Sequence, residues 1–349
     1  MNQLWQSILT DSGAVFDSDT GSQFSPAIDE IRAASATNVL IDLSHLTLIR
    51  ATGEDAITFL LSQLSNDLNQ VSESHSQISA YCTPKGRMLA LFRIFSHHDE
   101  LMLLAPRKVV DTVLPRLRMY VMRARVTLEP AEDLVSIGVS GPEAATILAD
   151  AIGTLPANTN DTTQTEQYSA VKLDGPHPRF LVTGETSAIT QIWQQLSPQC
   201  TQVGSAAWSW LDIMAGMPSV VEQTSEAFVP QMANLDVVDG VNFKKGCYPG
   251  QEIVARMQYL GKLKQRMYRA HVSVDARPVP GESVFAPSFR EQSAGTVVDA
   301  QISPDGGYDL LAVMQIRAVT EGEVHLGATD GALLDIRDLP YDLPAAKED

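Results

Sequence analysis

The feature that most constrains the fold is a stretch that occurs twice in the first half of the chain. Residues 51–60 read ATGEDAITFL and residues 139–148 read VSGPEAATIL. Each combines the end of a β-like run, a Ser or Thr, a Gly, an acidic residue and an Ala with an amphipathic helix. The repeat predicts two similar αβ halves built by duplication. Coincidence is the alternative, because a glycine between a strand and a helix is common.

The pattern of elements extends this prediction along the chain. Residues 53–68 have the apolar spacing of one helix, and residues 78–83, 88–95 and 100–106 resemble strands of an antiparallel sheet. From about Gln265 onward, short strands separated by Gly and Pro turns indicate an all-β module. We therefore predict an irregular N-terminal segment (1–35) with at most one short helix, a first αβ half (36–135), a second αβ half (136–262), a β module (263–340) and a tail (341–349). A polar linker is expected over 153–167.

Charge limits the partners that the chain can bind. The formal net charge is −17, from 25 Lys and Arg against 42 Asp and Glu. Because nucleic-acid binding depends on cations that neutralise phosphates, we expect no direct binding of nucleic acid. The basic residues cluster in 107–125 and 244–269. Each cluster is either a helix face balanced by acidic neighbours or a pocket for a small polyanion.

Composition and cysteine count predict the compartment. Hydrophobic residues make up 44% and charged residues 19%, as in ordinary soluble domains. The sequence contains no run of about 18 apolar residues and no N-terminal secretion signal. Its three cysteines, Cys82, Cys200 and Cys247, are too few and too scattered for a disulfide framework. We expect a reduced protein of the cytoplasm with no membrane partner.

The familiar cofactor and metal motifs are missing from the sequence. It has no GxxxxGK[ST] loop, no GxGxxG fingerprint and no HExxH helix. The seven histidines show no metal-ligand spacing, and no CxxC occurs. A resident metal site is therefore not predicted.

One cysteine lies in the most basic segment of this acidic chain, FKKGCYPGQEIVARMQYLGKLKQR (243–266). The glycines of KKGCYPGQE permit unusual backbone geometry and the proline stiffens the turn, so the loop presents Cys247 and Tyr248. Lys244, Lys245 and Arg256, together with a helix that begins just after the loop, favour the thiolate. The alternative is a buried cysteine that acts as a small hydrophobe. A hydrolytic role is not indicated, since no histidine lies nearby in sequence.

The block KGCYPGQE (245–252) resembles the signature of the YgfZ family, folate-binding factors of iron–sulfur assembly and repair. CTPKGRMLALFRIF, AGMPSV, FVPQMANLD and the final LPYDL agree in the expected order, so the resemblance extends from about residue 38 to the end. The family is similar to the glycine-cleavage T protein, a folate-dependent aminomethyltransferase. The resemblance implies an α+β fold, an aminomethyltransferase-like ring of three domains, of which two are αβ and the last is a β-barrel.

The resemblance also implies a tetrahydrofolate site. Trp208 matches the family's folate-contacting tryptophan, whereas Leu46 stands where a second tryptophan is expected. Trp210 either compensates or packs in the core. The remaining predicted folate contacts are polar and comprise Gln251, Glu252, Arg256 and Lys262, with the last two cations facing the glutamate tail.

A departure from the aminomethyltransferases separates two activities. After the turn that contains PKGR, those enzymes carry an aspartate that handles the folate amine, and here the matching positions hold Ala90 and Leu91. Without that carboxylate, aminomethyl transfer is not predicted. An aminomethyl- or methyltransferase would need another acid, such as Asp212 or Glu252.

Taken together, the residues and the resemblance predict a tetrahydrofolate-binding factor that supports iron–sulfur clusters in client enzymes. The clients include radical enzymes that thiolate tRNA, and assembly proteins are further expected partners. Cys247 is the predicted working thiol, Lys245 tunes it, and Tyr248 shapes the site and offers a hydroxyl. Two alternatives stay open, a folate-dependent transferase and a non-catalytic folate-sensing regulator.

Overall fold

The computed structural model describes residues 2–17 and 21–344. Helices in this part of the chain are α1 (Gln3–Asp11), α2 (Ala27–Ala36), α3 (Ala56–Leu61), α4 (Arg107–Met119), α5 (Ala144–Ile152), α6 (Thr186–Leu196), α7 (Ser205–Met214), α8 (Gln251–Tyr259) and α9 (Ile316–Glu321). Strands in the first half are β1 (Val15–Asp17), β2 (Gly21–Gln23), β3 (Val39–Asp42), β4 (Leu46–Thr52), β5 (Gln77–Cys82), β6 (Met88–His97), β7 (Glu100–Pro106), β8 (Thr127–Pro130) and β9 (Leu134–Ser140). Those in the second half are β10 (Thr162–Gln164), β11 (Tyr168–Leu173), β12 (Arg179–Glu185), β13 (Thr201–Val203), β14 (Gln265–Val272), β15 (Ser283–Phe285), β16 (Ser293–Ile302), β17 (Tyr308–Gln315), β18 (His325–Leu326) and β19 (Asp335–Arg337).

The described chain forms two compact units. The first contains the chain up to Leu60, Leu68–Ile78 and Phe92–Leu211. The second contains Leu61–Asp67, Ser79–Leu91 and the chain from Asp212 onward. Segments 61–67 and 79–91 therefore group with residues far away in sequence. The boundaries expected at residues 135, 262 and 340 stay predictions.

The repeated sequence forms the same local structure twice. In each copy a strand, β4 or β9, turns at a glycine with positive φ and enters a helix, α3 or α5. Both glycines allow a close backbone approach: a Cβ on Gly53 would lie 2.2 Å from the Arg125 carbonyl oxygen, and one on Gly141 would lie 2.5 Å from the Cα of Asn38. Only glycine fits both the conformation and the space at these two turns.

The sheets are mainly antiparallel, which confirms the predicted α+β class. One has the order β10-β11-β12-β9-β3-β13, with only the last pair parallel. Strand β9 lies between β12 and β3 and is buried at all seven positions, as expected for a central strand. A second sheet has the order β5-β6-β7-β4-β8.

The N-terminal segment contains the one short helix expected there, α1, but the irregular structure predicted for the rest is corrected by α2 and by the paired strands β1 and β2. Trp5 of α1 is buried, packs edge-on against Trp193 at 5.3 Å between ring centroids, and donates to Asp42 Oδ1 at 2.8 Å. In α2, the buried Glu30 carboxylate accepts backbone N–H bonds from Phe24, Ser25 and Gly204. These long-range contacts order the segment, and a local pattern cannot reveal them.

Three shorter stretches also differ from prediction. The helix expected over 53–68 is limited to α3, because residues 61–67 bind the second unit's cysteine loop instead. The linker expected over 153–167 includes strand β10. The expected tail begins with Tyr341, whose hydroxyl donates to the Gly216 carbonyl at 2.7 Å; residues 345–349 lie outside the described part.

The C-terminal β module is confirmed as a six-stranded antiparallel sheet, in the order β18-β15-β16-β17-β14-β19. It curls over a core of small and branched residues such as Val284, Val297 and Leu310. The register of β16 against β17 shifts between Val297 and Asp299, a bulge that adds curvature.

A buried ion pair joins this sheet to helix α8. Arg266 of β14 binds both carboxylate oxygens of Asp236, at 2.6 and 2.9 Å, and donates to the Gln231 carbonyl at 3.0 Å. The Gln231 side chain in turn donates to the Val254 carbonyl of α8 at 2.6 Å. This network fixes α8 against the rest of the second unit.

Among the helices of the described residues, none combines the length and the apolar character that a membrane crossing requires.

Candidate functional site

The cysteine loop, residues 244–250, starts at a turn formed by an asparagine side chain. Asn242 Oδ1 accepts the backbone N–H groups of Lys244 at 2.8 Å and Lys245 at 3.1 Å. An asparagine that binds backbone groups two and three residues ahead is a common way to begin a turn. The loop ends at Gly250, the residue before α8, which has a left-handed conformation with φ of 84°.

The far end of the loop rests on the β5–β6 turn. A Cβ on Gly250 would lie 2.4 Å from the Thr83 carbonyl oxygen and 2.6 Å from the Gly86 nitrogen. Gly86 itself has a positive φ of 73° and approaches Ile253 of α8. The PKGR turn and the cysteine loop are therefore in direct backbone contact, which only glycine permits at both positions.

Lys245 fastens the middle of the loop to segment 61–67. Its Nζ donates to the carbonyl oxygens of Leu61 at 2.5 Å and Leu64 at 2.6 Å. The ammonium group also lies 4.7 Å from the centroid of the Tyr248 ring, within the range of a cation–π contact. Leu61, Leu64 and Lys245 all belong to the second unit, so these bonds hold the loop within that unit.

Segment 61–67 supports the residues that precede the loop through hydrogen bonds. Ser65 accepts the Asn242 N–H at its carbonyl, at 3.0 Å, and donates its hydroxyl to the Gly240 carbonyl at 2.8 Å. The Asn66 side chain donates to the Asp239 carbonyl at 2.6 Å. These bonds hold residues 239–242, which lead into the loop.

Tyr248 is buried beneath the loop. Its hydroxyl has no hydrogen-bond partner among the described residues. Burial raises the pKa of this phenol, with a smaller contribution from the nearby Cys82. Tyr248 is therefore a neutral phenol under physiological conditions and an unused hydrogen-bonding group inside the site.

The three thiols differ sharply in accessibility. Cys247 is exposed, whereas Cys82 and Cys200 are buried. Burial raises the pKa of Cys82 to about 12 and that of Cys200 to about 11, so neither is reactive in the folded protein. Cys247 is the thiol that solvent and a macromolecular partner can reach.

The polar residues after the cysteine lie on and beyond α8. Gln251 donates its side chain to the Lys245 carbonyl at 3.3 Å, so it supports the loop from behind. Glu252 and Arg256 are exposed on α8, and Lys262 is exposed just after it. The structure thus brings Tyr248 and Gln251 into contact with Lys245, two residues before Cys247.

Trp208 belongs to the first unit and is 5% exposed. The Arg179 guanidinium lies 3.6 Å from the centroid of its ring, and a Cβ on Gly138 would lie 2.5 Å from its Cζ3. Trp210 is likewise buried. Trp208 stays a predicted folate contact, and a pterin that stacked on this ring in place of the guanidinium would have to displace Arg179.

Sequence reasoning missed the residues that support the loop from outside the motif. Asn242 was detectable, because an asparagine before KK and Gly is a turn signal. The roles of Ser65, Asn66 and Thr83 have no local signal, since their partners are far away in sequence.

The pKa of Lys245 gives a test of this geometry. Burial lowers this pKa to about 8, although the charges of Asp67 and the Cys247 thiolate oppose the shift. Because folding lowers this pKa, the buried ammonium opposes folding by a constant amount below about pH 8. The unfolded chain, with an ordinary lysine pKa of about 10.4, holds the proton more tightly, so stability should rise as the pH increases from about 8 to about 10.4. We expect the ¹³Cε resonance of Lys245 to titrate near pH 8. Cys247→Ala should lower the midpoint further, and a midpoint near about 10.4 would refute the buried position.

Comparison with known proteins identifies the fold and the domain family. Residues 11–245 match the GCVT N-terminal domain family. The glycine cleavage system aminomethyltransferase T of Bartonella henselae shares the fold, with a TM-score of 0.77 over 96% of both chains at 18% identity. This likeness confirms the expected aminomethyltransferase-like fold.

Full-length relatives define the family more narrowly. The chain is 30% identical over 312 residues to the tRNA-modifying protein YgfZ of Colwellia psychrerythraea, covering 88% of this chain and 94% of the relative. It is 31% identical over 311 residues to the protein of the same name from Yersinia pseudotuberculosis, with the same coverage. The chain belongs to the YgfZ family, within the class of proteins that carry a GCVT N-terminal domain.

Proposed function

We propose that the protein is a tetrahydrofolate-binding factor that assembles or repairs iron–sulfur clusters in client enzymes, with Cys247 as its working thiol. The observation that carries the proposal is an exposed cysteine on a loop that is fixed at its start, middle and end. A reactive group held on a rigid support is what transfer to a partner's cofactor requires. The relatives' name links the family to tRNA modification, and clients that thiolate tRNA fit that name.

The surroundings of the thiol favour binding or trapping over hydrolysis. Cys247 has no hydrogen-bond partner among the described residues, so no general base contacts its sulfur. A cysteine nucleophile of a hydrolase is normally activated by such a base. A thiolate that binds a metal, sulfur or a one-carbon group needs only access and nearby positive charge.

The thiol proposal is tested by expressing variants of the protein in a strain that lacks the native one. Cys247→Ala should lower the content of thiolated nucleosides in tRNA by at least about tenfold, with unfolding free energy changed by less than about 0.5 kcal/mol because the side chain is exposed. Cys200→Ala removes a buried thiol in the first unit and is the matched control, with thiolation retained. Full thiolation with Cys247→Ala would overturn the proposal.

The predicted folate contacts in the two units differ in whether another side chain already covers them. The exposed cations Arg256 and Lys262 suit a polyanionic glutamate tail, and the Tyr248 hydroxyl offers one hydrogen bond. Trp208, in contrast, already has Arg179 against its ring. Tetrahydrofolate would supply a one-carbon carrier, and Arg256, Lys262 and Tyr248 would serve to bind and orient it.

Calorimetric titration with tetrahydrofolate tests this part separately. We expect saturable binding that weakens by about tenfold in Arg256→Ala, which removes an exposed cation without disturbing the core. Arg317→Ala changes net charge equally at an exposed site in the C-terminal module and should bind as wild type does. If wild type fails to bind, the folate part of the proposal is wrong, while the thiol test stands independently.

A further inference from the structure

The end of α4 and the turn after it expose three large apolar side chains within four residues. Met119, Tyr120 and Met122 are 76%, 49% and 88% exposed. We refer to residues 119–122 as the Met-Tyr-Met turn. It belongs to the first unit and has no part in the cysteine site. Adjacent exposed apolar residues are uncommon on a soluble protein and indicate an interaction surface.

The backbone of this turn has a conformation that its residue type disfavours. Met122 has a φ of 47°, in the left-handed region where glycine and asparagine are favoured. A methionine here costs conformational energy and points an apolar side chain into water. Glycine or asparagine would adopt this conformation at lower cost, so the methionine side chain is the feature that calls for an explanation.

The turn is braced at both ends. Before it, Arg118 Nε donates to the Leu128 carbonyl of β8 at 2.7 Å. After it, the Arg125 N–H donates to Asp55 Oδ2 at 2.7 Å, and a Cβ on Gly53 would overlap the Arg125 carbonyl. The side chains are thus presented on a fixed frame, which reduces the entropy lost on binding a partner.

Two arginines give the turn a local positive charge. Arg118 and Arg123 are exposed and have no carboxylate partner among the described residues, whereas Arg125 is paired with Glu54 and Asp55. Met, Tyr and Arg are the residues enriched in protein–protein interfaces, and Lys and acidic residues are depleted there. The turn has this composition, with methionines that adapt to a partner's shape.

We propose that the Met-Tyr-Met turn docks another protein that presents an apolar groove rimmed by Asp and Glu. Two unpaired arginines on a chain of net charge −17 are too few to hold a nucleic acid, which needs several phosphate contacts. A two-fold contact in which the turns of two copies met would place their arginines against each other. An acidic protein of different sequence satisfies both the charge and the apolar side chains.

Site-specific photo-crosslinking in cells identifies the partner. The full-length chain carries p-benzoylphenylalanine at position 119 or, as control, at position 333, which is 55% exposed in the second unit. We expect a protein crosslinked from position 119 and absent from position 333, joined through a segment rich in Asp and Glu. RNA or a second copy as the product, or identical products from both positions, would overturn the proposal.

Titration with the purified crosslinked protein then tests the chemistry. Arg123→Glu should weaken binding by about tenfold or more and reduce its salt dependence, whereas Arg317→Glu, the same charge change elsewhere, should leave it within about twofold. Met122→Asn suits the left-handed backbone, so it should raise or maintain the unfolding temperature while weakening binding by about tenfold. Equal affinity in Met122→Asn and wild type would refute the docking role.

Discussion

Gly250→Ala is expected to collapse the cysteine loop. The new Cβ would lie 2.4 Å from the Thr83 carbonyl oxygen and 2.6 Å from the Gly86 Cα, both main-chain atoms that cannot swing aside. The residue would also occupy a φ of 84°, which alanine rarely adopts. Together the strain and the overlap should lower the unfolding free energy by about 3–5 kcal/mol, measured by urea denaturation.

Gly246→Ala is the matched control in the same loop. Gly246 has no positive φ, and no atom lies within 4 Å of the Cβ that the substitution adds. We expect its unfolding free energy to change by less than about 1 kcal/mol. If the two alanine variants were equally stable, the packing of the loop on the PKGR turn would be incorrect.

The two alanine variants should also differ in their support of client enzymes. Gly250→Ala displaces the loop that carries Cys247, so support of client enzymes should fall along with stability. Gly246→Ala leaves the Lys245 bonds to Leu61 and Leu64 in place and should retain that support.

Asp236→Ala is expected to lower the unfolding free energy by a similar amount, because it leaves the buried charge of Arg266 unpaired. The side chains of Arg266 and Asp236 are only 9% and 6% exposed, and they form a two-point ion pair. Removal of one partner from such a pair typically costs about 3–5 kcal/mol. Because Gln231 links Arg266 to Val254, hydrogen exchange of α8 amides should also accelerate.

The control is a pair of the same charges at the surface. Arg337 and Asp335 are 55% and 59% exposed, so Asp335→Ala should cost no more than about 1 kcal/mol. A loss in Asp236→Ala as small as that in Asp335→Ala would show that the buried network does not hold α8.

Local patterns predicted the parts of the fold that local chemistry decides. The two strand–Gly–helix copies, the central strands and the C-terminal β module follow from periodicity and turn residues. The N-terminal segment did not, because its order depends on Glu30, whose carboxylate meets Gly204, 174 positions away. Helix α3 is shorter than its pattern because residues 61–67 make nonlocal bonds instead.

The candidate site also has features that local sequence predicts and features that it does not. The glycines and proline around Cys247 predicted a shaped loop, since their effect on the backbone is local. The partners of Lys245 could not be predicted, because Leu61 and Leu64 are 184 and 181 positions away. The enclosed Trp208 ring depends on Arg179 and Gly138, which sequence spacing does not relate to it.

The most direct test of the central claim uses a purified tRNA-thiolating radical enzyme with an iron–sulfur cluster damaged by oxidation. Wild-type protein, Cys247→Ala and Cys200→Ala are each added with tetrahydrofolate, iron, sulfide and a thiol reductant, and recovery of cluster absorbance is followed. We expect recovery with wild type and Cys200→Ala, and none above background with Cys247→Ala. Equal recovery with Cys247→Ala would contradict the claim that this exposed thiol performs the work.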